Sequence, residues 1–118
     1  TVLVWNAITM EVLARVPMEG ERHACSLAFS SGNGKKLCAM TDDAMHSLSI
    51  WDWAGGGVCV AQCGTSAQPV AGLVCNGWIT DGSSVEMCAC GVGWLGYFRL
   101  WNGKLMKDST VRADGSGS

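Results

Sequence analysis

Leu48-Ser49-Ile50-Trp51-Asp52 is the segment that decides the fold, because related segments occur at two other places in the chain. Val2-Leu3-Val4-Trp5-Asn6 precedes it, and Phe98-Arg99-Leu100-Trp101-Asn102 follows it. Each segment alternates apolar and variable positions and ends with Trp followed by Asp or Asn, so each predicts a β-strand. The Trp residues lie 46 and 50 positions apart, which indicates repeated units.

Two further pairs of segments support the same repeat. Leu37-Cys38-Ala39-Met40 is matched 50 residues later by Met87-Cys88-Ala89-Cys90. Leu27-Ala28-Phe29 is matched 46 residues later by Leu73-Val74-Cys75. The second unit therefore carries about four extra residues near positions 79–84, where a length change is tolerated in a loop.

Each unit is predicted to contain four short antiparallel strands separated by Gly- and Asn-containing turns. We expect residues 1–16 to supply the last two strands of a preceding unit, 24–63 a complete unit and 70–110 a second, divergent unit. Residues 111–118 read as a flexible tail or linker. The predicted strands cover 2–6, 10–16, 24–30, 37–42, 47–53, 57–63, 70–76, 85–91, 96–102 and 104–110.

The composition narrows the fold class and the function. Of the 118 residues, 48% are hydrophobic and only 15% are charged, so the chain is expected to build a core. Strands that are apolar on both faces suit a sheet packed between two others, as in a β-propeller blade. The alternative is a generic β-sandwich with coincidental Trp spacing. A net charge of -2 provides no basic field for nucleic acid or an anionic membrane.

Seven cysteines, an odd number, occur without any C-x-x-C pair. Most lie inside apolar runs, where cysteine behaves as a small buried hydrophobe. We therefore predict reduced core thiols in a cytoplasmic protein, with disulfides as the alternative. The spacing also argues against a zinc site, and no cofactor is expected.

The segment ending in Trp51-Asp52 resembles the strand-ending signature of WD40 repeats, whose period is about 40–45 residues. Asp43 and Thr41 stand in the preceding turn, where WD40 repeats commonly carry an Asp and a Ser or Thr that pin the turn. The narrower pattern, from Cys25 through the Asp42-Asp43 pair to Trp53, resembles the echinoderm microtubule-associated protein-like family. The resemblance is strongest over Val2–Trp53 and only general over 70–103.

This resemblance implies a WD40-type β-propeller fragment with about two complete blades and half of a preceding blade. Members of the family bind microtubules or tubulin through large tandem propellers. The implied function is a non-catalytic protein-binding scaffold, with tubulin as partner and a cytoplasmic, cytoskeletal location. The alternative is a WD40 adaptor of another complex with no microtubule role.

The second unit departs from the pattern, because Gly91 and Gly93 stand where the first unit has Thr41 and Asp43. Two and a half blades also fall short of the four to eight that close a propeller. We therefore expect the remaining blades to come from the same chain or from another one.

Two groups of residues are candidates for particular roles. In the glycine-flanked segment 91–96, Trp94 is either an exposed hot spot or a core residue, and as a hot spot it would act with Leu95 and Tyr97. Arg22 and His46 are expected in loops on the same binding face. The repeat tryptophans are expected to be core residues between blades: Trp5, Trp51 and Trp101.

Catalysis is not expected. Cys25 with His23, and Cys38 with His46, are the only Cys–His combinations that the sequence suggests. A nucleophile also needs a third group that orients its base, and the chain has no phosphate loop, nucleophile elbow or metal motif.

Overall fold

The structure, a computed structural model, describes residues 2–18, 23–30, 34–76 and 85–112. In these ranges the chain forms ten β-strands, and no helix there is long and apolar enough to cross a membrane. The strands are β1 (Val2–Trp5), β2 (Val12–Val16), β3 (Ala24–Phe29), β4 (Leu37–Thr41), β5 (Leu48–Asp52), β6 (Val58–Cys63), β7 (Val70–Cys75), β8 (Val85–Gly91), β9 (Trp94–Trp101) and β10 (Lys104–Arg112).

The strands form three antiparallel sheets. Sheet A pairs β1 with β2, sheet B has the order β3-β4-β5-β6, and sheet C has the order β7-β8-β9-β10. The prediction of an all-β chain with two four-stranded units and half of a preceding one is confirmed. Every strand boundary lies within two residues of the predicted one. The predicted tail lies outside the described residues from position 113 onwards.

A β-bulge marks the same position in all three sheets and shows which residues are structural counterparts. The register shifts between Val4 and Trp5 in sheet A and between Ile50 and Trp51 in sheet B. In sheet C the register shifts on β10 between Lys107 and Ser109, which pair with Phe98 and Tyr97 of β9. Because bulges re-aim the side chains beside them, their common position identifies Phe98 as the counterpart of Trp51.

The predicted equivalence of Trp101 with Trp51 is therefore wrong by three residues. Leu37 pairs with Trp51 in sheet B, whereas Met87 pairs with Phe98 in sheet C. The reason is that Phe98 follows its partner Met87 by 11 positions, whereas Trp51 follows its partner Leu37 by 14, so the turn between paired residues is three residues shorter in sheet C.

The far end of β9 forms a tight hairpin with β10. There the strand continues past Phe98 to Trp101 and turns into β10 through Asn102-Gly103. Both turn residues have positive φ, 51° and 75°. This conformation matches the tight turns that favour Asn-Gly in two-residue hairpins.

The sheets pack through alternate faces of their strands. Trp51, Leu37 and Ala39 point from sheet B towards sheet A, where they form a buried cluster with Val4 and Val16. The opposite face of sheet B packs on sheet C through a second, larger cluster. That cluster comprises Cys38, Met40, Leu48, Ile50, Leu73, Val85, Met87, Ala89, Trp94, Phe98 and Leu100.

Sheets B and C thus turn the face that carries Trp51 or its counterpart Phe98 towards the sheet that precedes each of them in the chain. Trp51 lies against sheet A, and its counterpart Phe98 lies against sheet B, with 5% and 2% of their surfaces exposed. This stepwise packing is the arrangement of successive propeller blades.

Trp5 and Trp101, expected to be core residues between blades, are 51% and 48% exposed in this chain. Trp5 occupies the Trp51-type position of sheet A, but no described sheet packs on that side. Trp101 lies near the tip of the long β9–β10 hairpin, opposite in orientation to Phe98 and Leu100. Both residues are exposed because they lie on the outermost faces of the described sheets, where no further sheet covers them.

Trp53, beyond the end of β5, closes one end of sheet B. Its ring meets Phe29 edge-on, with centroids 6.2 Å apart, and its Nε1–H donates to Gly34 O at 2.8 Å. The indole thus has an apolar contact and a satisfied donor, as partly buried tryptophans usually do.

Candidate protein-binding surface

The turn between β4 and β5 is organised by the carboxylate of Asp43. Its Oδ1 accepts from Thr41 Oγ1 at 2.7 Å and from the Ser47 N–H at 2.9 Å. Its Oδ2 accepts from Ser47 Oγ at 2.7 Å. Because Thr41 and Ser47 are buried, the carboxylate satisfies polar groups that would otherwise be costly.

The same turn is tied to the segment that leads from sheet B to sheet C. His46 Nδ1 hydrogen-bonds Ser66 O at 2.7 Å, and Thr65 Oγ1 donates to His46 O at 2.6 Å. The backbone N–H groups of Thr65 and Ser66 both donate to Met45 O. His46, expected to contact a partner, is therefore half-buried and holds two loops together.

Sheet C closes the equivalent corner with glycine and tryptophan instead of a carboxylate. Gly91 and Gly96 flank the indole of Trp94 so closely that a Cβ on either would meet it. A Cβ at Gly91 would lie 2.5 Å from Trp94 Nε1 and would also collide with the carbonyl oxygen of Pro69. A Cβ at Gly96 would lie 2.9 Å from the Phe98 ring. The glycines therefore make room for the indole in the core.

Trp94 is consequently a core residue rather than an exposed hot spot. It is 7% exposed and belongs to the cluster between sheets B and C. Its Nε1–H is buried without a hydrogen-bond partner among the described residues. Of the two alternatives left open by the sequence, the structure thus favours packing into the core, because Trp94 begins β9 on the same face as Phe98.

Leu95 and Tyr97 lie on the other face of β9, since side chains alternate along a strand. Leu95 is partly buried, and Tyr97 is 46% exposed beside a cavity of about 400 Å³. Val74, Cys88 and Glu86 also line this cavity on the outer face of sheet C. The three residues predicted as one hot spot are therefore divided between two faces. Arg22, the remaining candidate, lies outside the described residues.

A groove between sheets B and C runs beneath the two corner turns and has a volume of about 690 Å³. Sequence reasoning did not identify it, because its walls come from segments far apart in the chain. One wall carries Met45 and the segment Thr65–Gln68, and the other carries Trp94 and Lys107. Val92 N–H donates to Pro69 O at 3.0 Å and fixes one end.

Lys107 supplies the charge of this groove. It pairs with Phe98 in the β9–β10 ladder, so its exposed side chain rises from the face that packs on sheet B. Lys104, three residues earlier, pairs with Trp101 at the hairpin tip. The groove thus combines polar groups, an apolar floor and an ammonium group, which suits a peptide carrying a carboxylate.

Three of the cysteine thiols, those of Cys25, Cys63 and Cys88, have pKa values raised above the ordinary value. Burial raises the pKa of Cys63, and burial together with nearby Cys90 raises that of Cys88. Burial also raises the pKa of Cys25, although this residue and Cys90 are exposed, contrary to the expectation of core thiols. Protonated thiols are poor nucleophiles. Within the ranges described, no cluster of His, Cys, Asp or Glu could hold a metal ion.

Comparison with known proteins gives the evolutionary context of these sheets. The chain is 31% identical over 112 residues to the 77 kDa echinoderm microtubule-associated protein of Strongylocentrotus purpuratus, which covers 93% of this chain. It is 32% identical over 109 residues, 90% of the chain, to echinoderm microtubule-associated protein-like 2 of Mus musculus. The chain is a distant homologue of the echinoderm microtubule-associated proteins.

The homology covers nearly all of this chain but a small part of each relative. The chain spans 16% of the length of both proteins named above. A shorter match, 37% identity over 54 residues, relates it to human echinoderm microtubule-associated protein-like 1. No protein-family model matches the chain.

The resemblance to echinoderm microtubule-associated proteins inferred from the repeat is thus confirmed. These are WD40 propeller proteins, and the two four-stranded antiparallel sheets agree with WD40 blades. Asp43 and Thr41 form the turn hydrogen bonds that the WD40 resemblance implied. The side chain of Asp52, the Asp of the Trp-Asp pair itself, accepts a local bond from the Gly55 N–H at 3.0 Å.

Replacing Asp43 should destabilise the fold, and replacing Asp52 should not. Asp43→Ala leaves two buried hydroxyl groups and one N–H without their acceptor, so we expect a loss of about 2 kcal/mol or more in unfolding free energy. Asp52→Ala removes an exposed turn bond and should cost less than about 0.5 kcal/mol. Urea unfolding followed by tryptophan fluorescence measures both, and equal losses would contradict the assigned role of Asp43.

Gly91 should tolerate no side chain, in contrast to Gly72 on the neighbouring strand. Gly91→Ala forces Trp94 or Pro69 to move, so we expect a loss of roughly 1–3 kcal/mol in unfolding free energy. A Cβ at Gly72 would find its nearest neighbour at 3.8 Å, an ordinary contact, so Gly72→Ala should cause no loss. Near-UV circular dichroism of the tryptophans should change in the first variant alone. An unchanged spectrum and unchanged stability for Gly91→Ala would refute the packing described.

Proposed function

We propose that this chain is part of a non-catalytic β-propeller that binds tubulin in microtubules. The observation that carries the proposal is the similarity of 93% of the chain to a protein named as microtubule-associated. The repeated sheets support a scaffold, because propellers present loops on a rigid body and need no catalytic group. The corresponding location is the cytoplasm, on the cytoskeleton.

We further propose that residues 24–63 and 70–110 are two successive blades and that 1–16 supply the end of a third. Additional blades, from the same chain or another, would then cover the two outer faces. Both faces are apolar enough for that role: Leu3 and Trp5 are about half exposed on the outer face of sheet A, as are Tyr97 and Trp101 on the outer face of sheet C. Exposed apolar patches of this kind usually mark contact surfaces.

The groove between sheets B and C is the surface that we assign to tubulin. Microtubules display acidic tails, and Lys107 offers an ammonium group beside polar and apolar walls. One lysine contributes orientation and association rate more than affinity, so the apolar floor must supply most of the contact. His46 then acts by holding the groove's rim in place rather than by touching tubulin.

Co-sedimentation with polymerised tubulin tests this proposal, with the chain joined to its neighbouring blades where these are needed for solubility. We expect pelleting that weakens as salt rises from about 50 to about 200 mM, because the Debye length is about 10 Å at 0.1 M and exposed charges farther apart than this are largely screened. Lys107→Glu should reduce the bound fraction several-fold. Lys104→Glu, the same charge change at the hairpin tip, should leave it nearly unchanged.

The outcomes separate the two candidate functions. Pelleting that is lost in Lys107→Glu supports both tubulin and the groove, whereas equal loss in both variants would move the contact to another face. No pelleting by folded protein would refute tubulin binding and leave the WD40 adaptor of a different complex. Circular dichroism of each variant establishes that it is folded.

The exposed faces predict how the isolated chain behaves in solution. Because both outer sheets present apolar side chains and sheet A has only two strands, we expect self-association at micromolar concentration. Light scattering should give a mass above that of the 12.4 kDa chain. A stable folded monomer would contradict the proposed coverage of these faces by further blades.

A further inference from the structure

Two cysteines from different sheets meet in the cluster between sheets B and C. The Sγ atoms of Cys38, on β4, and Cys75, at the end of β7, are 3.6 Å apart and in hydrogen-bond contact. The two residues are 37 positions apart in the chain. Cys38 belongs to sheet B, where β4 pairs with β3, and Cys75 belongs to sheet C, where β7 pairs with β8. The two thiols therefore meet at the contact between the two sheets.

The two thiols differ in exposure. Cys38 is completely buried between Met40 and Ile50 in the shared cluster. Cys75 is only partly buried. It is therefore the more accessible thiol of the pair.

The two thiols also differ in acidity. The hydrogen bond with the Cys38 thiol lowers the pKa of Cys75, although burial opposes the shift. The same bond, together with burial, raises the pKa of Cys38. Cys75 is thus the thiol of the pair that gives up its proton more readily, and a thiolate is the nucleophilic form of cysteine.

We propose that Cys38 and Cys75 are an oxidation site at which a hydroperoxide forms a disulfide that joins sheet B to sheet C. The proposal rests on the geometry of the pair and does not depend on the binding of tubulin. It also gives a role to two of the seven cysteines, which the proposed scaffold function does not use.

The reaction balances with one hydroperoxide as oxidant. The Cys75 thiolate attacks a peroxide oxygen, the O–O bond breaks, and Cys75 becomes a sulfenic acid while hydroxide leaves. The Cys38 sulfur then attacks the Cys75 sulfur, the S–O bond breaks, and the S–S bond forms. The Cys38 proton leaves with that oxygen as water, and the first hydroxide takes up the proton that Cys75 had released. Two sulfurs lose two electrons, and the peroxide is reduced to two molecules of water or, for an alkyl hydroperoxide, water and alcohol.

Closing the bond brings the two sulfurs from 3.6 Å to about 2.05 Å. Sheets B and C otherwise meet through side-chain packing, without a shared backbone ladder. A disulfide there would hold the sheets together and restrict the unfolded chain by closing a loop.

Peptide mapping of the full chain tests the proposal. The chain is treated with hydrogen peroxide under native conditions, alkylated with N-ethylmaleimide, and cut by a protease that cleaves before Asp. Trypsin would not serve, because no Lys or Arg lies between Leu37 and Arg99. Cleavage before Asp42, Asp43 and Asp52 puts Cys38 and Cys75 in different peptides.

We expect the two peptides to appear as one species, lighter by about 2 Da than their sum because two hydrogens are lost. Fragmentation should assign the link to Cys75 rather than to Cys59 or Cys63 of the same peptide. Dithiothreitol should remove it, and the oxidised chain should unfold at a higher urea concentration than the reduced chain.

Variants and a denatured sample complete the test. Cys75→Ala should abolish the linked species, and Cys59→Ala, a matched loss from the neighbouring β6, should retain it. Should Cys75→Ala fail to fold, fragmentation of the unmodified chain still assigns the link. A native link through another cysteine, alkylation of both Cys38 and Cys75 after peroxide, or a link that forms only in urea would each overturn the proposal.

Discussion

The packing of one sheet face on the next is the constraint on which the rest of this structure depends. A four-stranded sheet with apolar side chains on both faces cannot be stable alone, because neither face can be left in water. Sheet B solves this by placing Trp51 against sheet A and Ile50 against sheet C. The turns, the bulges and the inter-sheet groove all take their positions from these two contacts.

The β-bulge shows how strictly this packing is maintained. It occurs at the same point in all three sheets, just before a large aromatic residue. The aromatic residue is Trp in two sheets and Phe98 in the third, and in sheets B and C it faces the preceding sheet. What the fold preserves is therefore the position and orientation of an aromatic ring, and the Trp-Asp dipeptide is one way of supplying it.

This explains which parts of the fold were predictable from the sequence. Alternating apolar residues and Gly- or Asn-rich turns located all ten strands, and the pairs that begin with Leu27 and Leu37 aligned the first two strands of each unit as the structure has them. The third strand was misaligned because Trp101 imitates Trp51 in a local pattern. Only the pairing of Met87 with Phe98, which depends on a turn three residues shorter, reveals the true counterpart.

The candidate site was less predictable, because its parts come from separate segments. The roles of Asp43 and Thr41 were implied by a known repeat pattern, so a single sequence sufficed for them. The glycines around Trp94 could be read from the sequence, but glycines at these positions are equally compatible with an exposed turn and with close packing around a buried ring. The distinction depends on where Pro69 passes, which no local pattern contains.

The two corner turns show that one structural requirement has two chemical solutions. Sheet B closes its corner with a carboxylate that gathers three donors, and sheet C closes its corner with an indole fitted between glycines. The first solution satisfies polar groups, and the second fills volume and leaves the indole N–H unpartnered among the described residues. Because unpartnered buried donors are costly, the packing of Trp94 against Phe98 must outweigh that cost. The corner of sheet C is thus held by the packing of Trp94 rather than by side-chain hydrogen bonds. The groove between the sheets therefore has a hydrogen-bonded corner turn on the side of sheet B and the packed Trp94 on the side of sheet C.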